Sequence, residues 1–418
     1  MRNKKVLFIG KNHRTIRLDT INNPPNGVEF IKQETEEIPD HLANKRSVER
    51  SIIKKALDFT RYNNYIPQKD LKEIDLIYSP GKIIMNNFPW VVEIDNVACL
   101  SYYNLKILNK FKSFIADKLK SVWCKRIICI SEAAKKSVVN YFKDKQISAK
   151  CEVVYPYVRL HNKTKRSDDK VRFLYISREF YLKGGRQIVN AFKKLKKQHD
   201  NVELTIISNW YNEKRIKGIK VVNPTKSKKE LFKKYYSKHD VFLQLSFQDS
   251  FGSVVQEAIS TGLPVICTDM FAFHEMVKDG INGFVLKSPI KYFKNFLPNE
   301  RYWGRDLNKE SELLSAKSLE NELFKKMEVL AQDKSLREQM GLRSKELAKT
   351  LFFEQGRKKT LKGCLMGKVK YHLRTRRCKR CGKLYHGSKR SKFCEACYKP
   401  KGTGVKKWAY GLKIEVEE

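Results

Sequence analysis

Residues 246–268 read SFQDSFGSVVQEAISTGLPVICT. The apolar run DVFLQLS, Asp240 to Ser246, enters this stretch as the end of a buried strand. A turn with Phe251 and Gly252 follows, then a helix from about Ser253 and a second strand, Leu263 to Thr268. Such a strand, turn, helix, strand unit belongs to a parallel sheet. Two carboxylates, Asp249 and Glu257, lie eight positions apart around the helix start. A helix N-terminus carries free N–H groups and partial positive charge, so it attracts phosphate. Gly252 lacks a side chain, so an anion can approach the backbone. Glu257 sits about one turn into the helix, placed to accept hydrogen bonds from ribose hydroxyls. An ordinary βαβ crossover fits the same spacing equally well.

The full string resembles the nucleotide-sugar site of glycosyltransferase family 4, with its E-x7-E spacing, FG pair and EA-x-x-x-G-x-PV segment. Asp249 stands where the first Glu is usual. The resemblance implies a retaining enzyme of the two-domain GT-B fold that needs no catalytic metal and takes a nucleotide-diphosphate sugar. It implies that Glu257 holds the donor ribose and Asp249 the sugar hydroxyls, with amides near Phe251, Gly252 and Ser253 assisting. Upstream, SREFYLKGGRQIVNAF (Ser177 to Phe192) places Arg178 and Lys183 on a loop between a strand and a helix. Breaking a sugar–diphosphate bond builds charge on the leaving group, and cations offset it. Loop cations alone are usually solvent-facing. Similarity to the family's GR-x-x-x-x-KG signature is what implies a diphosphate clamp, with Ser177 in place of the usual Gly. ICISEAAKKSVV (Ile128–Val139) and HEMVKDGINGFVL (His274–Leu286) also resemble family segments; in the latter Glu275 starts a helix, and Gly280 and Gly283 are expected to close turns, a helix end at DG and a hairpin-like turn at NG.

The first half departs from the family pattern. Its first strand offers only Gly10, followed by KNHR, where a glycine-rich donor loop is usual. PWVVEIDNV supplies Glu93 and Asp95 where a His is common. These carboxylates either orient an acceptor or cap the next turn. His13 either reaches the cleft or is incidental.

Apolar runs and helix-like periodicity alternate almost to Leu330, the pattern of α/β layers. Expected strands include Val6–Ile9, Ile74–Tyr78, Trp90–Ile94 and Arg126–Ile130, with helices at Lys45–Arg61, Tyr102–Lys120 and Glu132–Phe142. Residues 161–170, HNKTKRSDDK, contain no apolar side chain and read as a linker. Two Rossmann-like domains are therefore expected, residues 1–160 for the acceptor and 171–360 for the donor, with a basic tail at 364–418. The charged stretch 287–318 has no evident role. SDDK precedes a strand rather than following one, which argues against a metal-binding Asp pair.

At 418 residues the chain has room for two sizeable cores and an appendage. No apolar run approaches a membrane span, and the opening MRNKKVLFIG reads as a strand rather than a leader. A cytoplasmic protein is expected, peripheral at most to the inner membrane surface. The net charge of +41, from 86 Lys and Arg against 45 Asp and Glu, points to a polyanionic partner: nucleic acid or an anionic membrane surface.

The tail concentrates this charge, with 16 Lys and Arg against 4 Glu over residues 368–418. It carries Cys378-x2-Cys381 and Cys394-x2-Cys397, separated by twelve residues. Four thiolates so paired close a tetrahedron around zinc, a structural rather than catalytic site. The tail resembles small CxxC-GK zinc modules often attached to nucleic-acid enzymes. Two acceptors follow: a glycan or lipid-linked saccharide, or nucleic acid such as a modified base of phage-type DNA. A non-catalytic nucleic-acid-binding protein on a glycosyltransferase scaffold is the third reading.

Overall fold

The computed structural model describes residues 2–10, 20–32, 65–164, 166–210, 216–224, 227–307 and 316–366, with the backbone of four short strands between Arg374 and Lys413. His13, the helix expected at 45–61 and the four tail cysteines lie outside the described residues. Residues 1–366 form one compact unit and 367–418 another.

In the first half, β1 (Lys4–Phe8), β2 (Val28–Lys32), β3 (Leu76–Pro80), β4 (Trp90–Ile94), β5 (Cys124–Cys129) and β6 (Cys151–Val153) make a sheet of order β2-β1-β3-β4-β5-β6. In the second, β7 (Val171–Ile176), β8 (Val202–Ile207), β9 (Ile219–Val222), β10 (Val241–Gln244), β11 (Val265–Thr268) and β12 (Gly283–Leu286) run in the order β12-β11-β10-β7-β8-β9. Every pairing in both is parallel. Both faces of a parallel sheet are covered, which is why β3 and β4 are buried at every residue. The strand order reverses between β1 and β3, and again between β7 and β10. Such switch points open a crevice at the carboxyl ends of the strands, where ligands of open α/β sheets bind.

The helices that position the crevice are α1 (Glu132–Phe142), α2 (Gly185–Gln198), α3 (Ser253–Ser260) and α4 (Phe273–Met276). In α2, Ile188, Ala191, Phe192 and Leu195 recur at helical spacing and are fully buried, while the lysines face out. α5 (Lys317–Gln332) and α6 (Lys334–Leu351) close the second half. A third helix, α7 (Glu354–Met366), lays Leu361, Cys364 and Leu365 onto the first sheet beside Val6, Phe8, Val28 and Tyr78. The composition change read at 360–364 falls inside this helix. Its Arg357 donates to Thr20 Oγ1 at 2.5 Å and to the Tyr155 carbonyl at 3.1 Å.

The expected helix Tyr102–Lys120 is broken. A 3-10 turn (Val97–Ser101) ends in left-handed Tyr102, and helices begin afresh at Leu105 and Lys112. Asn104 caps the first of these, its Oδ1 accepting from Ile107 N–H at 3.1 Å. Gly283 does not close a hairpin turn. It opens β12, and a Cβ there would stand 1.9 Å from the Val265 carbonyl oxygen, so close strand approach demands glycine. Residues 287–307 form a strap with a small hairpin, β13 (Phe293–Lys294) and β14 (Leu297–Pro298), that reaches the first half. Asn140 Nδ2 donates to the Asn295 carbonyl at 3.0 Å, and Trp303 Nε1 to the Tyr103 carbonyl at 2.8 Å. Among the described residues no helix is long and apolar enough to cross a membrane.

Candidate active site

The second switch point gathers the expected donor residues. Gly252 is left-handed at φ 83° and caps α3, turning the chain from β10 into the helix. A Cβ on it would meet Phe273 Cε1 at 2.3 Å, so packing against α4, as well as the turn, requires glycine. Asp249 Oδ1 accepts from Phe251 N–H at 3.1 Å. Its Oδ2 meets Lys183 Nζ at 2.9 Å, and Lys183 also donates to the Gln248 carbonyl. Gly184, at φ 75°, delivers Lys183 there: a Cβ on it would lie 2.4 Å from Leu245 Cβ. Arg178 is exposed on the same loop. Ser253 opens α3. The Phe251 side chain is buried and meets Phe352 edge-on, so it serves the core.

Glu257 is buried, accepting from Tyr236 O–H at 3.0 Å with Lys228 Nζ at 3.7 Å. Burial, followed by the Glu257 charge, pushes the Tyr236 hydroxyl well above its ordinary pKa, so it stays a donor.

Across the cleft, the first-half candidates divide. Glu93 is buried within its sheet, its carboxylate accepting from Tyr78 O–H at 2.5 Å. Asp95, one residue past β4, faces the other half: Oδ2 accepts from Ser250 O–H at 2.9 Å and Tyr103 O–H at 2.8 Å. It also caps its own turn, Oδ1 accepting from Asn96 N–H at 2.8 Å. Gly10 lies just past β1, where a Cβ would stand 3.2 Å from Pro80 Cγ. Asp168, in the linker, is held by Arg172 at 2.9 and 3.0 Å, an ordinary surface pair.

A second bridge escaped the sequence reading. Glu275 on α4 accepts from Glu132 and Ala133 N–H at 2.9 and 2.8 Å, capping α1 of the other half, and from Tyr155 O–H at 2.6 Å. Burial raises its pKa, against the lowering effect of these bonds. Ser250, Tyr103 and Trp303 were missed for the same reason: each acts on a partner over a hundred positions away or from the opposite half.

Residues 158–295 match the profile of the family described as Glycosyl transferases group 1. The chain carries a glycosyltransferase group 1 domain, and it is a glycosyltransferase. The capsular polysaccharide biosynthesis glycosyltransferase CapM of Staphylococcus aureus is 22% identical over 282 residues, 62% of this chain and 73% of that protein. The uncharacterized glycosyltransferase MJ1607 of Methanocaldococcus jannaschii is 28% identical over 147 residues, 33% of this chain and 36% of its own. In fold, this glycosyltransferase is similar to Anabaena Alr3699/HepE, crystallised in complex with UDP and glucose. That match has a TM-score of 0.56 and 13% identity, covering 88% of this chain and 100% of the other. Two parallel-sheet Rossmann-like halves facing across a cleft are the GT-B architecture.

Proposed function

We propose that this glycosyltransferase moves a sugar, with retention, from a nucleotide-diphosphate donor to a glycan or lipid-linked saccharide. The observation that carries this is the convergence of Lys183, Asp249, Glu257 and the glycine-capped start of α3 at one switch point. Glu257, backed by Tyr236 and Lys228, accepts the ribose hydroxyls, and Asp249 accepts those of the donor sugar. The bond between the sugar's anomeric carbon and the diphosphate oxygen breaks, and its electron pair leaves with the diphosphate. Lys183 and Arg178 stabilise that charge, one as a point cation and one as a fork. The acceptor oxygen bonds the anomeric carbon on the same face, and its proton passes to the departing phosphate oxygen. Support comes from the crystallised UDP and glucose of the Anabaena neighbour and the capsular role named for CapM.

The tail favours a second acceptor. Its net positive charge and paired CxxC motifs suit a zinc-stabilised module that grips phosphates, with transfer to a hydroxylated DNA base. Incubation with labelled nucleotide sugars, followed by mass spectrometry of lipid-linked saccharides and of hydroxymethylated DNA, separates the two. In the same assay Glu257→Ala is expected to weaken donor binding about 10- to 100-fold, the worth of hydrogen bonds to a charged acceptor. Unchanged donor affinity by calorimetry refutes the ribose role.

A further inference from the structure

Tyr102 and Tyr103 hold left-handed backbone conformations, φ 55° and 62°, directly after the turn Val97–Ser101. Residues with a Cβ are disfavoured there, and glycine is the usual helix-ending residue. Such strain persists only where the surroundings over-determine it, and it clusters at functional sites. Three contacts fix Tyr103: its N–H donates to the Ala98 carbonyl at 2.8 Å, its O–H to Asp95 Oδ2 at 2.8 Å, and its carbonyl accepts from Trp303 Nε1 at 2.8 Å. Trp303 comes from the strap of the opposite half, stacked on Tyr292 with ring centroids 4.8 Å apart. The two tyrosines are nevertheless 42% and 38% exposed. Together they offer aromatic surface for the C–H face of a pyranose ring, and the buried Asp95 holds Tyr103 in place. Asp95 is in turn held by Ser250 of the opposite half, whose O–H donates to Oδ2 at 2.9 Å.

We propose that Tyr102 and Tyr103 form a saccharide-binding subsite on the acceptor side of the cleft, with Asp95 and Trp303 positioning it. The inference rests on, and deepens, the reading of the acceptor as a saccharide. Its strap, residues 287–307, is thereby given a role in acceptor recognition.

The test is saturation-transfer NMR on the full chain with glucose, galactose, mannose and N-acetylglucosamine, each with UDP and then with UDP-glucose. At least one sugar is expected to gain saturation and to keep it when UDP-glucose is added. Tyr102→Ala should cut the signal about fivefold, as expected for losing one aromatic contact. Trp303→Phe keeps the ring but loses the N–H, and should cut it about as much. Both variants should melt with the parent chain and bind UDP as it does. Tyr102 is exposed, so its variant stands as the test even if Trp303→Phe misfolds. Saturation of none of the four sugars overturns the subsite. So does displacement by UDP-glucose, or a full signal in Tyr102→Ala, because the sugar then sits at the donor turn. A wild-type chain that takes a sugar through Tyr102 but no UDP or UDP-glucose refutes the donor reading and leaves the subsite standing.

Discussion

Lys183 and Asp249 hold each other at 2.9 Å, both side chains mostly shielded from water. On the proposed donor reading, a diphosphate arriving at this turn would compete with a carboxylate already in place, and Lys183 would gain a second anion rather than meet its first. Lys183→Ala and Arg178→Ala should therefore act mainly on turnover, lowering kcat about 10²- to 10³-fold, as loss of a transition-state charge partner does. Steady-state kinetics with separate kcat and KM check this, and near-normal kcat in both variants refutes the clamp. His239 gives a pH prediction. Its Nδ1 donates to the Tyr235 carbonyl at 2.7 Å and its Nε2 meets Thr205 Oγ1 at 2.9 Å, which fixes the neutral ring. Burial depresses its pKa from 6.5 to about 4. The folded state binds fewer protons than the unfolded between those values, so the contribution is complete above pH 6.5 and lost as pH falls toward 4. It amounts to about 3 kcal/mol at most. Urea titrations from pH 7 to pH 4 should show this loss, and His239→Gln should flatten it. The Lys183, Asp249 and Glu257 positions were legible because they share one motif-bearing half. Asp95 was legible only as a choice between orienting an acceptor and capping its turn; it caps the turn through Asn96 N–H and also bonds Ser250 of the opposite half.

At the scale of elements, α4 and α1 meet through a single carboxylate. Glu275 satisfies two first-turn N–H groups of α1, where a helix dipole favours negative charge. Glu275→Ala leaves those donors and Tyr155 O–H without it, at a cost of about 1–3 kcal/mol. Thermal melts should register that loss, and Glu275→Gln, which keeps one acceptor, should recover part of it. Strands and helices with strong periodicity were readable from sequence: β4 and α1 fall at the residues where the apolar spacing puts them. The break at Tyr102 and Tyr103 was not, because tyrosine carries no signal for a left-handed turn and only Asn104 hints at a new helix. Gly283 misled for a related reason. An NG pair favours a hairpin locally, but the neighbouring Val265 backbone uses the same glycine for close packing.

For the whole molecule, the net charge of +41 and the paired cysteines of the tail set the expectations. The full chain should carry about one zinc, and a chain ending at Met366 none, by elemental analysis, if the paired CxxC motifs are a structural centre. Sugar-donor hydrolysis by the shorter chain should survive EDTA; its loss would contradict a reaction run by Lys183 and Arg178 alone. The order of two sheets followed the alternation of apolar runs, whereas α7 went unread because its apolar face is narrow and lies against the change to a basic tail. That helix has a consequence for synthesis on the ribosome. The strands of the first sheet are all made once Val153 has emerged, yet Leu361, Cys364 and Leu365, which pack beside its Val6, Phe8, Val28 and Tyr78, come more than two hundred residues later. Until then those side chains lack part of their apolar cover, and apolar surface left uncovered during synthesis is what holdase chaperones engage. The amino-terminal half is thus the earlier of the two to be translated, and yet part of its core is among the last of the described residues to be made.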